Sequence, residues 1–89
     1  MANKRSLKKA INAISEVIFA ECVAASLYGA ENHKDNANAL LGCIVKTQQH
    51  YIRRVSHPEP GMAPRKYYAD LRGKFAAQVG EIIDHINTL

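Results

Sequence analysis

All three prolines of the chain fall between positions 58 and 64, within SHPEPGMAP, and on both sides of that stretch the apolar residues recur every three or four positions. A residue that precedes proline avoids helical angles, and proline itself has no amide hydrogen to donate. A helix ending near Val55 therefore cannot resume before Pro64. Pro64 itself suits the first turn of a new helix, where the missing N–H is no loss. The apolar periodicity then predicts three amphipathic helices over about 5–28, 36–55 and 64–87.

The inner line of the first helix reads Leu7, Ile11, Ile14, Ile18, Cys22 and Ala25. Asn3 or Ser6 is placed to cap its start, and Gly29 to close it. ENHKDN, at 31–36, then reads as a polar turn. The second helix places Ala37, Leu40, Leu41, Ile44, Gln48, Tyr51, Ile52 and Val55 on one face. The third does the same with Tyr68, Leu71, Phe75, Val79, Ile82, Ile86 and Leu89. No alternating strand pattern competes. Three such helices joined by short links predict an all-α, antiparallel, up-down-up three-helix bundle formed by one domain over 1–89. The apolar fraction of 47% fits a folded chain of this size.

Near the start, cations precede an apolar run, as in a signal peptide. Glu16 and Glu21 leave only four apolar residues between them, too few for its hydrophobic stretch, and no transmembrane segment is expected. Cys22 and Cys43 fit no metal or redox spacing, so the reading is of reduced thiols in a cytoplasmic protein.

An up-down-up path carries the start of the first helix, the end of the second and the start of the third to one end. Residues 1–10 and 50–75 hold ten of the twelve Lys and Arg and two of the eight Asp and Glu, a balance of +8; the remainder carries −4. The formal +4 hides this dipole. Arg53, Arg54, Arg65, Lys66, Lys8 and Lys9 are the expected anion-binding residues. Lys8, Lys9, Arg65 and Lys66 lie in or beside first helical turns, where cations are unfavourable unless an anion compensates. An acidic protein surface is one expected partner. The phosphate backbone of a nucleic acid is the other, although no zinc finger, glycine-turn helix pair or RNA-binding aromatic sheet is present. Tyr51 and Tyr68 are expected to pack inward and Tyr67 to be exposed.

Glu21 falls on the inner stripe, with His85 or Lys46 as the expected partner. A metal site from Glu21, Glu81 and His85 would need the paired Glu-x-x-His motifs of metal-binding bundles, and these are missing. Gln48 reads as a hydrogen-bonded core residue, His50 as a surface histidine, and His33 and His57 as turn residues. No Ser, Cys or His sits in a nucleophile set, and no glycine loop cradles phosphate. No enzymatic activity, cofactor, metal or small-molecule substrate is expected. Finally, Phe19, Val23 and Leu27 make a second apolar ridge on the first helix, which one bundle cannot cover. It predicts a homodimer that buries this ridge.

Overall fold

The computed structural model describes residues 4–28 and 34–89. It is a three-helix bundle of α1 (Lys4–Tyr28), α2 (Lys34–Ser56) and α3 (Pro64–Asn87), with principal extents of 47 × 19 × 16 Å. No strand occurs among the described residues. The expected cap Asn3 and the expected closing residue Gly29 lie outside the described residues, as do Glu31, Asn32 and His33 of the polar turn. Ser6 belongs to α1 itself rather than to its cap, and Lys34, Asp35 and Asn36 belong to α2.

Two apolar clusters hold the bundle. Leu7 and Ile11 of α1 meet Tyr51 and Val55 of α2 and Tyr67, Leu71 and Phe75 of α3. At the other end Ile18 and Cys22 meet Ile44, Ile82 and Ile86. The first cluster joins the beginning of α1, the end of α2 and the beginning of α3, as an up-down-up path requires. Burying each of these Leu, Ile, Val and Phe side chains stabilises the fold by roughly 1.5–3 kcal/mol. Within the core, the Tyr51 and Phe75 rings meet edge to face, with centroids 5.2 Å apart.

The inner face of α2 follows the expected pattern: Ala37, Ile44, Tyr51 and Val55 are buried, and Leu40, Leu41, Gln48 and Ile52 half-buried. Gln48 donates its side-chain amide to Asn12 Oδ1 at 2.8 Å, tying α2 to α1. The other two helices are each turned slightly from expectation. On α1 the buried line is Leu7, Ile11, Ser15, Ile18 and Cys22, and Ile14 remains 41% exposed. Steps of four, four, three and four keep that line on one side of the helix, whereas Ile14 stands one residue, about 100°, away from Ser15.

On α3 Tyr67, expected at the surface, is 2% exposed, and Tyr68 is half-buried. The reason lies at the end of α2, whose last carbonyls have no helical donors. The Tyr67 hydroxyl donates to the Arg54 carbonyl at 2.9 Å and lies 3.4 Å from that of His57; the Tyr68 hydroxyl donates to the Val55 carbonyl at 3.3 Å. Burying the Tyr67 ring is affordable because its polar end is satisfied.

Cys22 is fully buried, with its thiol 3.8 Å from the Ala37 carbonyl. Burial pushes its pKa above the ordinary thiol value. The unfolded chain therefore loses this proton first. The resulting contribution to stability is present below the ordinary thiol pKa and drains away as pH rises past it.

Tyr67→Phe should cost about 1 kcal/mol in urea unfolding, through loss of the Arg54 bond. Gly73, in the interior of α3, has open space where a Cβ would sit. Gly73→Ala should therefore raise stability by up to ~1 kcal/mol in the same assay.

Candidate functional site

The cluster of Leu7, Val55 and Tyr67 puts three helix ends side by side, and each arrives with cations. From α1 come Lys4, Arg5 and Lys9, all exposed, and Lys8, half-buried. From α2 come Arg53, exposed, and Arg54, half-buried. From α3 come Arg65, Lys66, Arg72 and Lys74, all exposed. All six side chains expected to bind an anion thus belong to this end. Lys74 is occupied by Asp70 at 3.2 Å in an i, i+4 pair. Arg53, Arg65 and Lys66 have no carboxylate at ion-pair distance among the described residues.

Arg54 is held differently. Its guanidinium carbon lies 5.7 Å from the centroid of the Tyr67 ring, so the aromatic face partly covers the charge and fixes the side chain. Neither α1 nor α3 has an acidic residue in its first turn, and Ala63, which precedes α3 at the N-cap position, provides no side-chain cap. The partial positive charge of these helix starts is thus offset by no local carboxylate. Arg53 and Arg54 occupy the last turn of α2, where cations are favourable. The aromatic rings of this end are used inside: Tyr51 and Tyr67 are core residues, and Tyr68 packs against the core.

The expected apolar ridge of α1 is uneven. Leu27 is 75% exposed, Phe19 37%, and Val23 half-buried. More of the exposed apolar surface lies along a neighbouring line that includes Val17, at 58%. Beside it, Ala13, Ile14, Val17, Ile18, Glu21, Val79 and Ile83 line an open groove of about 310 Å³ between α1 and α3. Glu21 is exposed at this groove and not on the buried stripe, because the core line passes through Cys22 instead. By length and composition α1 is also apolar enough to cross a bilayer, contrary to the expectation that no segment is, and only 22% of its most apolar 18-residue window is buried in the bundle.

His85 belongs to a different place, a cavity of about 400 Å³ between the start of α2 and the end of α3. Asn36, Ala39, Leu40, Cys43, Thr88 and Leu89 line it as well. Glu21 and His85 therefore face separate grooves, and the pairing considered from the sequence does not form. Among the described residues no three His, Cys, Asp or Glu side chains are grouped to hold a metal ion. His50 is exposed and meets Tyr51 edge on, with centroids 5.1 Å apart. The periodicity did not reveal this cavity, because it depends on how the start of α2 and the end of α3 sit against each other. Nor did it reveal the tyrosine bonds to the end of α2, whose only sequence signal is the doubled Tyr67-Tyr68 just after the proline turn. Compared with protein-family models, curated proteins and solved structures, the chain matches none.

The two thiols should differ sharply. Iodoacetamide at mildly alkaline pH is expected to label exposed Cys43 and spare Cys22 in the folded protein, and to label both in guanidinium. Mass spectrometry of the alkylated peptides reads the result.

Proposed function

We propose that this chain is a non-enzymatic helical interaction protein of the cytoplasm, which pairs with itself through the exposed apolar surface of α1 and docks an acidic protein surface on its cation-bearing end. The observation that carries the reading is the apolar cluster of Leu7, Val55 and Tyr67, which seats three cation-bearing helix ends together. Without that packing the cations would be spread along a chain and would make no common field. With it, Lys8, Lys9, Arg53, Arg54, Arg65 and Lys66 act on the same approaching anion, helped by the starts of α1 and α3.

An acidic protein is preferred to a nucleic acid because of what the tyrosines do. Single-stranded nucleic acid is usually held by stacking bases on exposed rings. At this end the rings of Tyr51 and Tyr67 are buried and their neighbour Tyr68 is half-buried. Charge without stacking suits a carboxylate-rich surface, for which arginine offers paired donors. Self-pairing through Leu27, with Phe19 and Val23 beside it, leaves the cationic ends free and so makes the pair bivalent.

Fluorescence anisotropy with a polyglutamate probe should show binding at low salt that weakens as salt rises. The double variant Arg53→Glu with Arg65→Glu should weaken it by ~10-fold or more, since each change replaces an attraction by a repulsion. No binding of the probe at the lowest salt rejects the acidic partner. Stronger retention of duplex or single-stranded nucleic acid, with a steep log–log salt dependence, transfers the site to phosphate backbone instead.

A further inference from the structure

α1 presents a second regular face besides its core line. Ala10, Ala13, Val17, Ala20, Ala24 and Leu27 follow one another at alternating steps of three and four, and all six are exposed. Such steps average 3.5 residues, the spacing of the seam in a helix pair. On a helical projection this line runs roughly 140° around from Leu7, Ile11, Ile18 and Cys22, so most of it faces away from the bundle, while Ala13 and Val17 also border the groove towards α3. Ile14 and Tyr28 border it, at 41% and 89% exposure, and Val17 and Leu27 within it are at 58% and 75%. At ~200 Å² for a fully exposed large side chain, these four leave on the order of 500 Å² uncovered before the alanines are counted. A stable interface buries ~800 Å² on each partner.

We infer that this seam is covered by the same seam of a second copy, running antiparallel. The inference rests on the self-pairing proposed above and gives it an orientation and a register, with Leu27 in the seam, Val23 beside it and Phe19 outside it. Two features select the occupant. The first is charge. Glu16 and Glu21 flank the seam on its two opposite sides. In a parallel pair each flanking residue faces the other flank of its partner five residues further on, which sets Glu16 against Glu21 twice in every dimer. An antiparallel pair brings like flank to like flank. Centred between Ile18 and Phe19, it places Glu16 beside Val23 and Glu21 beside Ile14, and no two carboxylates meet. It also runs the cationic start of each α1 along the negative end of the other, a favourable arrangement.

The second feature is size. In this register Val17 of one copy faces Ala20 of the other, Leu27 faces Ala10, and Ala13 faces Ala24. Each large side chain thus meets a small one, and the helices can approach closely. Sliding one copy by seven residues brings Glu16 against Glu16 and loses that match. The two cation-bearing ends then point in opposite directions along one rod.

The test uses the full chain with Cys43→Ser, leaving buried Cys22 as the native thiol, and adds Ala13→Cys or Ala24→Cys in separate preparations. Mixed in equal amounts and oxidised, they should give the 13–24 mixed disulfide in several-fold excess over either homodisulfide. Homodisulfides in excess, or a statistical mixture, overturn the antiparallel register. In parallel, sedimentation equilibrium should give the unmodified chain a mass near twice 9.9 kDa. Val17→Glu should return it to the monomer with unchanged helical circular dichroism, which separates loss of pairing from unfolding. If Leu27→Asp also yields a monomer while the cysteines favour homodisulfides, self-pairing stands and this orientation falls. An unmodified chain that stays monomeric, or that leaves solution only with phosphatidylglycerol vesicles, overturns the seam. If that monomer still binds polyglutamate, the docking end survives alone; a dimer with the mixed disulfide but no polyglutamate binding has the reverse meaning.

Discussion

The bond from the Tyr67 hydroxyl to the Arg54 carbonyl joins the two sides of the proline turn, and much of the arrangement follows from it. The turn can stop a helix but cannot say where the next one will lie. Tyr67 supplies that information, because its ring enters the core with Leu7, Val55 and Leu71 while its hydroxyl reaches back to the end of α2. Tyr68 adds a second bond, to the Val55 carbonyl, on the half-buried side. Together they replace water at carbonyls that any helix end leaves unpaired. The same ring lies under the Arg54 guanidinium. One side chain therefore takes part in core packing, in finishing a helix and in positioning a cation.

This has a consequence for the charges. Cations beside the starts of α1 and α3 oppose the helix dipoles, at a cost of up to ~1 kcal/mol each, and they repel one another. The marginal stability of a chain this small makes several such terms significant. The packing of Tyr67, Leu71 and Phe75 against α1 and α2 is what allows the bundle to carry them. An approaching acidic surface would relieve the repulsion and the unfavourable dipole terms at once, so the electrostatic strain of the free protein would add to the driving force of the docking proposed above.

Helix number, order and span were readable from the sequence, since the prolines and the three-four spacing leave few alternatives. The face of α2 was equally plain, because Asn38, Lys46, Gln49 and Arg53 mark its outer side. The faces of α1 and α3 were not. Between Val17 and Leu27 only Glu21 and Ser26 interrupt an apolar run, so a line through Ile14 fits the periodicity as well as one through Ser15. Tyr67 and Tyr68 pose the same ambiguity, and propensity cannot resolve it because the deciding partner is a backbone carbonyl thirteen residues away. The grouping of the cations at one end needed only topology. Which of them are free and which is tied to an acid or a ring needed the side-chain geometry.

What settles the orientation of α1 is size rather than period. Its buried line carries Leu7, Ile11 and Ile18, whereas the opposite seam is mostly alanine. Turning the seam inward would exchange large side chains for methyl groups, at about 2–5 kcal/mol for each large residue lost from the core and with cavities left behind. The bundle therefore has one strongly preferred way to seat α1, even though both faces are apolar. The alanine face is too small to fill a core. Its close-set methyl groups are well suited to let a second helix backbone approach, and the two faces of one helix can thus hold different partners without competing for either.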